Sequence, residues 1–116
     1  MGEVEKLTAE IRAFAEAREW EQFHTPKNLA MALAVEASEL MEPFQWLTAE
    51  EAEELAADGE AREAVASEIA DVAIFLLRLA DVMGVDVEAA VREKLEVNER
   101  RFPVEEVRGR ARMPEG

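Results

Sequence analysis

The 116-residue chain has no cysteine and no tyrosine, a single histidine, five glycines and four prolines. Each scarcity removes a class of protein. Without cysteine there are no disulfides, no thiolate metal sites and no thiol nucleophile. One histidine, His24, leaves no basis for a zinc or copper centre built on imidazoles. No glycine-rich loop is available to cradle phosphate, and no serine-centred elbow motif accompanies the histidine. Aromatics make up only 6% of the residues, so strands have little to work with. No apolar run approaches the ~20 residues needed to cross a bilayer. The start, Met1-Gly-Glu-Val-Glu-Lys6, has neither the basic nor the apolar region of a signal peptide, so a cytoplasmic protein without a membrane partner is expected. Basic residues are short as well: 13 Lys and Arg face 27 Asp and Glu, for a formal net charge of −14. That balance argues against direct binding of nucleic acid, which sets Lys and Arg against phosphate.

What is present is helix-forming material. Hydrophobic residues make up 49% and charged residues 34%, with Ala, Glu, Leu and Arg prominent, and this predicts an all-α fold. Residues from about Val4 to Glu19 place Leu7, Ile11, Phe14 and Ala15 on one helical face. Trp20-Glu-Gln-Phe-His-Thr25 breaks the pattern. Thr25-Pro26 then gives a cap followed by proline at the first helical position, opening a helix to about Met41 that Pro43 ends. Thr48 and Glu51 predict a capping box for a short acidic helix to about Ala57, closed by Asp58-Gly59. A central helix from about Glu60 to Met83 stops at Gly84, and Asp86 caps a last helix to about Arg100, terminated by Arg101-Phe-Pro103. Four long helices with a short extra one predict a four-helix bundle whose second and central helices form an antiparallel heart. Residues 1–103 read as one helical domain, and 104–116 as a C-terminal arm or tail that docks on a neighbour or stays mobile.

The anomaly is charge inside the apolar stretches. Glu36-Ala-Ser-Glu39 and Glu68-Ile-Ala-Asp71 each set two carboxylates three residues apart, on one face of a helix. Glu36 falls in register with the stripe Leu29, Leu33, Leu40 and Phe44. Asp71 is the only charge between Ile69 and Leu77, a segment apolar nearly all round that is expected to be central and buried. Buried carboxylates need a proton, a cationic partner or a metal, and this chain has few cations to spare. Acid pairs at this spacing are common on solvated faces, as in Glu50-Glu51-Ala-Glu53-Glu54. Two pairs on two apolar helices instead describe a four-carboxylate cage. Its all-oxygen, anionic donors suit Mg²⁺ or Mn²⁺, whereas a di-iron bundle wants Glu-x-x-His at this spacing. The chemistry left to such a site is metal-assisted hydrolysis with one carboxylate as base. An acidic site of this kind admits a polyphosphate only when divalent cations neutralise both sides.

Other residues carry a functional and a plainer reading side by side. Lys94 and Asn98, at i and i+4 and followed by Arg100 and Arg101, could hold phosphate or could be the usual cationic end of a helix. Trp20 and Trp46 flank the second helix in loops, where each could stack on a nucleobase or anchor its loop to the core or to another subunit. His24 could contact a ligand or fix its loop. Met31, Met41 and Met83 read as core fillers.

In order along the chain, Trp20-Glu-Gln-Phe-His-Thr-Pro-Lys-Asn-Leu-Ala30, Glu36-x-x-Glu39, Phe44-Gln-Trp46, Glu68-x-x-Asp71 and Lys94-x-x-x-Asn98-x-Arg-Arg-Phe-Pro103 resemble the MazG-like, all-α nucleoside triphosphate pyrophosphohydrolases. The resemblance runs from about Leu7 to Pro103 and is strongest to the branch containing the dCTP pyrophosphatases. It implies a Mg²⁺-dependent enzyme that cleaves a small-molecule nucleoside triphosphate, dCTP or a modified deoxynucleotide, to the monophosphate and pyrophosphate, and so cleanses the nucleotide pool. It carries over Glu36, Glu39, Glu68 and Asp71 as metal ligands and catalytic carboxylates. Lys94, Asn98 and Arg101 carry over as phosphate or sugar contacts, and Trp20 and Trp46 as walls of the base pocket, with His24 in the same loop. Phe75 stands one turn beyond Asp71 where relatives in this branch can have Tyr, so a hydroxyl contact to the ligand is lacking. A homotetramer with shared active sites is implied, with a homodimer as the other assembly. A different class stays open on the residues alone: a helical scaffold that binds nucleotide or metal without turnover.

Overall fold

The computed structural model describes residues 2–110, which are helical or looped with no strand among them. Helices α1 (Glu3–Ala17), α2 (Pro26–Met41), α3 (Ala49–Glu54) and α4 (Gly59–Met83) belong to a first compact unit that ends at Val85. Helices α5 (Val87–Arg101) and α6 (Val104–Val107) belong to a second that begins at Asp86. The all-α class, the four long helices and the short α3 are as the sequence predicts. The short α6 was not expected, and it falls within the stretch read as a tail. The remainder of that tail, 111–116, lies outside the described residues.

Side chains cap the starts of α2, α3, α4 and α5. The Asn28 amide donates to Thr25 Oγ1 at 3.2 Å ahead of Pro26. At α3 the capping box is complete: the Glu51 amide donates to Thr48 Oγ1 at 3.2 Å and the Thr48 amide to Glu51 Oε1 at 2.9 Å. The Ala89 amide donates to Asp86 Oδ1 at 3.0 Å to open α5. Each such cap contributes about 1 kcal/mol. Gly84 ends α4 in the left-handed region, at φ 69°, where a residue with a Cβ would be strained.

Two boundaries differ from the sequence expectation. Asp58 does not close α3; it caps α4, accepting from the Ala61 amide at 3.1 Å, and Gly59 is the first residue of α4. An Asp-Gly pair satisfies a turn and a helix start equally well, and here the start of the longer helix prevails. Between α1 and α2, Glu21–Phe23 forms a single 3₁₀ turn rather than an irregular loop.

Within the first unit α4 packs most extensively on α2 and less on α1. His24, just ahead of α2, meets Arg78 late in α4. Glu36 and Glu39 meet Glu68 further back along α4. Phe44, past the end of α2, lines an apolar cavity with Val65 and Ile69. Residue numbers rise on one side as they fall on the other, so α2 and α4 run antiparallel. Ala15, Leu29, Leu77 and Ala80 are the buried apolar residues, with Leu29 only 1% exposed; burying a leucine fully contributes about 1.5–3 kcal/mol. The expectation that the middle of α4 is buried all round does not hold in the single chain. Ile69, Ile74 and Leu76 are exposed, because α1 and α2 cover only part of its circumference and a helix apolar on every side needs cover on every side. Among the described residues no helix is long and apolar enough to cross a membrane.

Candidate metal centre

Glu36 and Glu39 stand about one turn apart on α2, and Glu68 comes to them from α4. One carboxylate oxygen from each lies within 4.8 Å of the other two. All three residues are half-buried. Glu36 Oε2 and Glu68 Oε2 are themselves buried and have no hydrogen-bond partner, and none of the three forms a salt bridge among the described residues. Buried acceptors in this condition destabilise the fold unless a proton or a cation meets them. Burial pushes the Glu36 carboxyl up to about 7, with further contributions from a hydrogen bond to Glu39 and from the charges of Glu39, Asp71 and Glu68. A proton on Glu36 near neutral pH is thus the means available to the cluster alone for lowering its charge. The donor set is all oxygen and anionic, and two of its acceptors are unmet, which fits a hard divalent cation.

Asp71 is half-buried on α4, nearly one turn beyond Glu68. Its charge reaches Glu36, but it is not among the three residues whose oxygens converge. Phe75 follows it by another turn and is also half-buried. Trp46, in the turn after α2, is 87% exposed, so the reading in which it anchors its loop to the core does not hold within one chain. Trp20 is 43% exposed. Its ring meets Phe14 edge-on with centroids 5.8 Å apart, and it meets the His24 imidazole edge-on at 6.4 Å. The Arg18 guanidinium lies 3.6 Å over the Phe14 ring, bracing the same corner. Lys94 and Asn98 stand one turn apart on α5, the first exposed and the second half-buried. Arg101, at the end of α5, sits over the Phe102 ring at 5.2 Å. These three belong to the second unit and the carboxylate cluster to the first.

Arg78, absent from the residues that the sequence singles out, is the one buried charged residue among those described, at 5% exposure. Its Nε donates to His24 Nδ1 at 3.0 Å and its Nη1 to Asp81 Oδ2 at 3.0 Å. Arg12 on α1 completes the group with a two-pronged contact, Nε to Asp81 Oδ2 at 2.8 Å and Nη2 to Asp81 Oδ1 at 2.7 Å. The hydrogen bond from Arg12 holds the Asp81 carboxyl below its ordinary value, and Arg78 adds to this. Burial lowers the His24 pKa and the charge of Arg78 lowers it further, against a smaller opposing effect of Glu21. The signal was there to be read: Arg78-x-x-Asp81 is an opposite-charge pair at helical spacing inside an apolar run.

Comparison with known proteins gives the family. The MazG-like family pattern matches residues 31–112, a span that holds all four acids of the predicted cage. The chain is 43% identical over 109 residues to the dCTP pyrophosphatase 1 of Bos taurus, and 41% identical over 110 residues to that of Homo sapiens. These alignments cover 94% and 95% of this chain and 63% of each relative, so the chain spans less than two thirds of their length. A crystal structure of a pyrophosphatase from Archaeoglobus fulgidus DSM 4304 superposes with a TM-score of 0.82 at 40% identity, covering 89% of this chain and 94% of that one. With a family match across most of its length and a solved relative covered almost end to end, this chain belongs to the MazG-like family.

Proposed function

We propose that the chain is a divalent-metal-dependent nucleoside triphosphate pyrophosphohydrolase acting on dCTP or modified deoxynucleotides in the cytoplasmic nucleotide pool. The observation that carries this reading is the pair of buried, unpartnered carboxylate oxygens of Glu36 and Glu68, in a chain 43% identical to a dCTP pyrophosphatase. Glu36, Glu39 and Glu68 would hold Mg²⁺ or Mn²⁺, with Asp71 as a fourth carboxylate. Such an ion, when bound, supplies charge neutralisation and polarisation of phosphoryl oxygens. One glutamate of the cluster takes the proton of the attacking water. Trp20 and Trp46 stack on the base, Phe75 gives an apolar wall, and Lys94, Asn98 and Arg101 contact phosphate or sugar. Homotetramer formation is supported by the exposed apolar residues of α2 and α4, among them Met31, Val35, Ile69 and Ile74, which a single chain leaves in water.

The test is turnover of a panel of standard and modified triphosphates with Mg²⁺, with products separated by chromatography and EDTA as the control. Monophosphate plus pyrophosphate, lost with EDTA, is the expected result. Tight metal-dependent binding with no product on any triphosphate overturns it in favour of a nucleotide-binding scaffold.

A further inference from the structure

Arg78 is buried where it cannot serve as a surface cation, and its hydrogen bonds face inward. A guanidinium has donors only and stays protonated. An imidazole nitrogen that accepts from it must therefore be unprotonated, so the contact of Arg78 Nε with His24 Nδ1 at 3.0 Å places the proton of neutral His24 on Nε2. The assignment follows from the chemistry of arginine and needs no observed hydrogen. Asp81 keeps Arg78 in place, and Arg12 keeps Asp81 in place from a second helix, so the donor to Nδ1 is held from two directions. Nε2 has no hydrogen-bond partner among the described residues, and His24 is part-exposed at the corner it makes with Trp20. Arg78 follows Glu68 by ten residues on the same helix α4, roughly 15 Å along the axis, a separation within reach of an extended nucleotide.

We propose, on the reading of the Trp20 loop as part of the nucleotide site, that Arg78 is a positioning residue: it fixes His24 as the Nε2–H tautomer, which presents a preset hydrogen-bond donor beside Trp20 to an oxygen of the nucleotide. The oxygen is a base carbonyl or a phosphoryl group. Asp81 and Arg12 act one step further back, by holding Arg78. An aromatic wall with an oriented donor at its edge gives a ligand both stacking area and a fixed direction.

His24 is the only histidine in the chain, so nitrogen NMR of histidine-labelled full-length protein reads this one ring without assignment. The expected spectrum has an unprotonated, pyridine-type Nδ1 and a protonated, pyrrole-type Nε2. Arg78→Met should release the ring to a mixture of tautomers; a protonated Nδ1 in the wild type overturns the proposal, whatever the variant does. Saturating deoxycytidine and inorganic pyrophosphate are then added separately in Mg²⁺. A shift of Nε2 with the first assigns the donor to the base, and a shift with the second assigns it to phosphate. No shift with either removes the ligand contact. In turnover, His24→Asn should raise KM about tenfold with kcat unchanged, while His24→Gln, whose amide reaches about as far as Nε2, should restore it. Equal KM for the two variants overturns the role of Nε2. If no triphosphate is turned over at all, the enzymatic reading fails while the wild-type spectrum still decides the tautomer.

Discussion

Helix α4 carries buried charge at two places and treats it in opposite ways. Toward one end, Glu36, Glu39 and Glu68 crowd three acids together with no basic partner among the described residues, and two of their oxygens are left unmet. Toward the other, Arg78 is buried more completely, yet Asp81, His24 and, through Asp81, Arg12 account for it. The same central helix, α4, can therefore have a buried charge neutralised when the chain supplies partners, here from α1, from the loop ahead of α2 and from α4 itself. The lack of them around the glutamates is a local property rather than a general looseness of packing. Charge that the fold resolves internally contributes to structure, and charge left unresolved is available to a ligand.

The contrast can be broken most sharply by substitution at each end. Glu39→Gln or Glu68→Gln should lower metal-dependent turnover by at least about a hundredfold, since even residues that merely orient metal ligands cost 10–100-fold when removed. Neither should lower the melting temperature of the metal-free protein, because each relieves like-charge repulsion; retained turnover would show that the cluster holds no catalytic ion. Asp81→Ala should do the reverse. It strands a buried guanidinium and should destabilise the fold by about 3 kcal/mol, a fall in melting temperature of roughly 10 °C, read by circular dichroism. A change smaller than that of a surface substitution would mean that Arg78 finds other partners.

Acid and base should separate the two ends next. Glu36 has a folded value of about 7 against an ordinary 4.5, so between these the folded, metal-free protein binds the extra proton and its stability should fall as pH rises from about 4.5 to 7. Asp81 lies below its ordinary 3.8. Its contribution is present above that value and is lost as pH falls through the lower, folded one. Melting curves against pH should show the first slope vanish in Glu36→Gln and the second in Asp81→Asn, and divalent-cation affinity should strengthen as pH rises through about 7. The smallest effect is expected at Arg12→Ala. That side chain is 45% exposed, so solvent already screens its pairing, and its loss should lower the melting temperature by less than Asp81→Ala does.

Helix ends were legible wherever one residue type has one local use. Thr25-Pro26, Thr48 with Glu51, Gly84 and Asp86 all do in the fold what their chemistry indicates in the sequence. Asp58-Gly59 was not, because the pair serves equally as an end or a beginning and only the neighbouring helix decides. Three of the four acids of the predicted cage were placed together by periodicity, since Glu36 and Glu39 share a face and Glu68 belongs to the other apolar helix. Which α4 residue converges with α2 depends on axial register, and spacing within a helix carries no information about that. Arg78 was legible only in part: its spacing to Asp81 inside an apolar run marks an opposite-charge pair, but the partners from α1 and from the Trp20 loop that complete its burial are not written in that spacing. The exposed flank of α4 was misread because apolar content states how much surface needs cover, while the single chain determines how much receives it.

Trp46 gives the molecule an optical gauge of its own surroundings. With 87% of the residue in water, its emission should lie at the red end of the range for indole and be readily quenched by iodide, whereas Trp20, edged against Phe14 and His24, supplies the bluer and more protected component. Anything that closes over the turn after α2, whether a stacked nucleobase or another subunit, will shift the first component, and a base stacked on both tryptophans will shift the second with it. Dilution without nucleotide then distinguishes the two causes, because a stacked base leaves no concentration dependence in its absence and an assembly does.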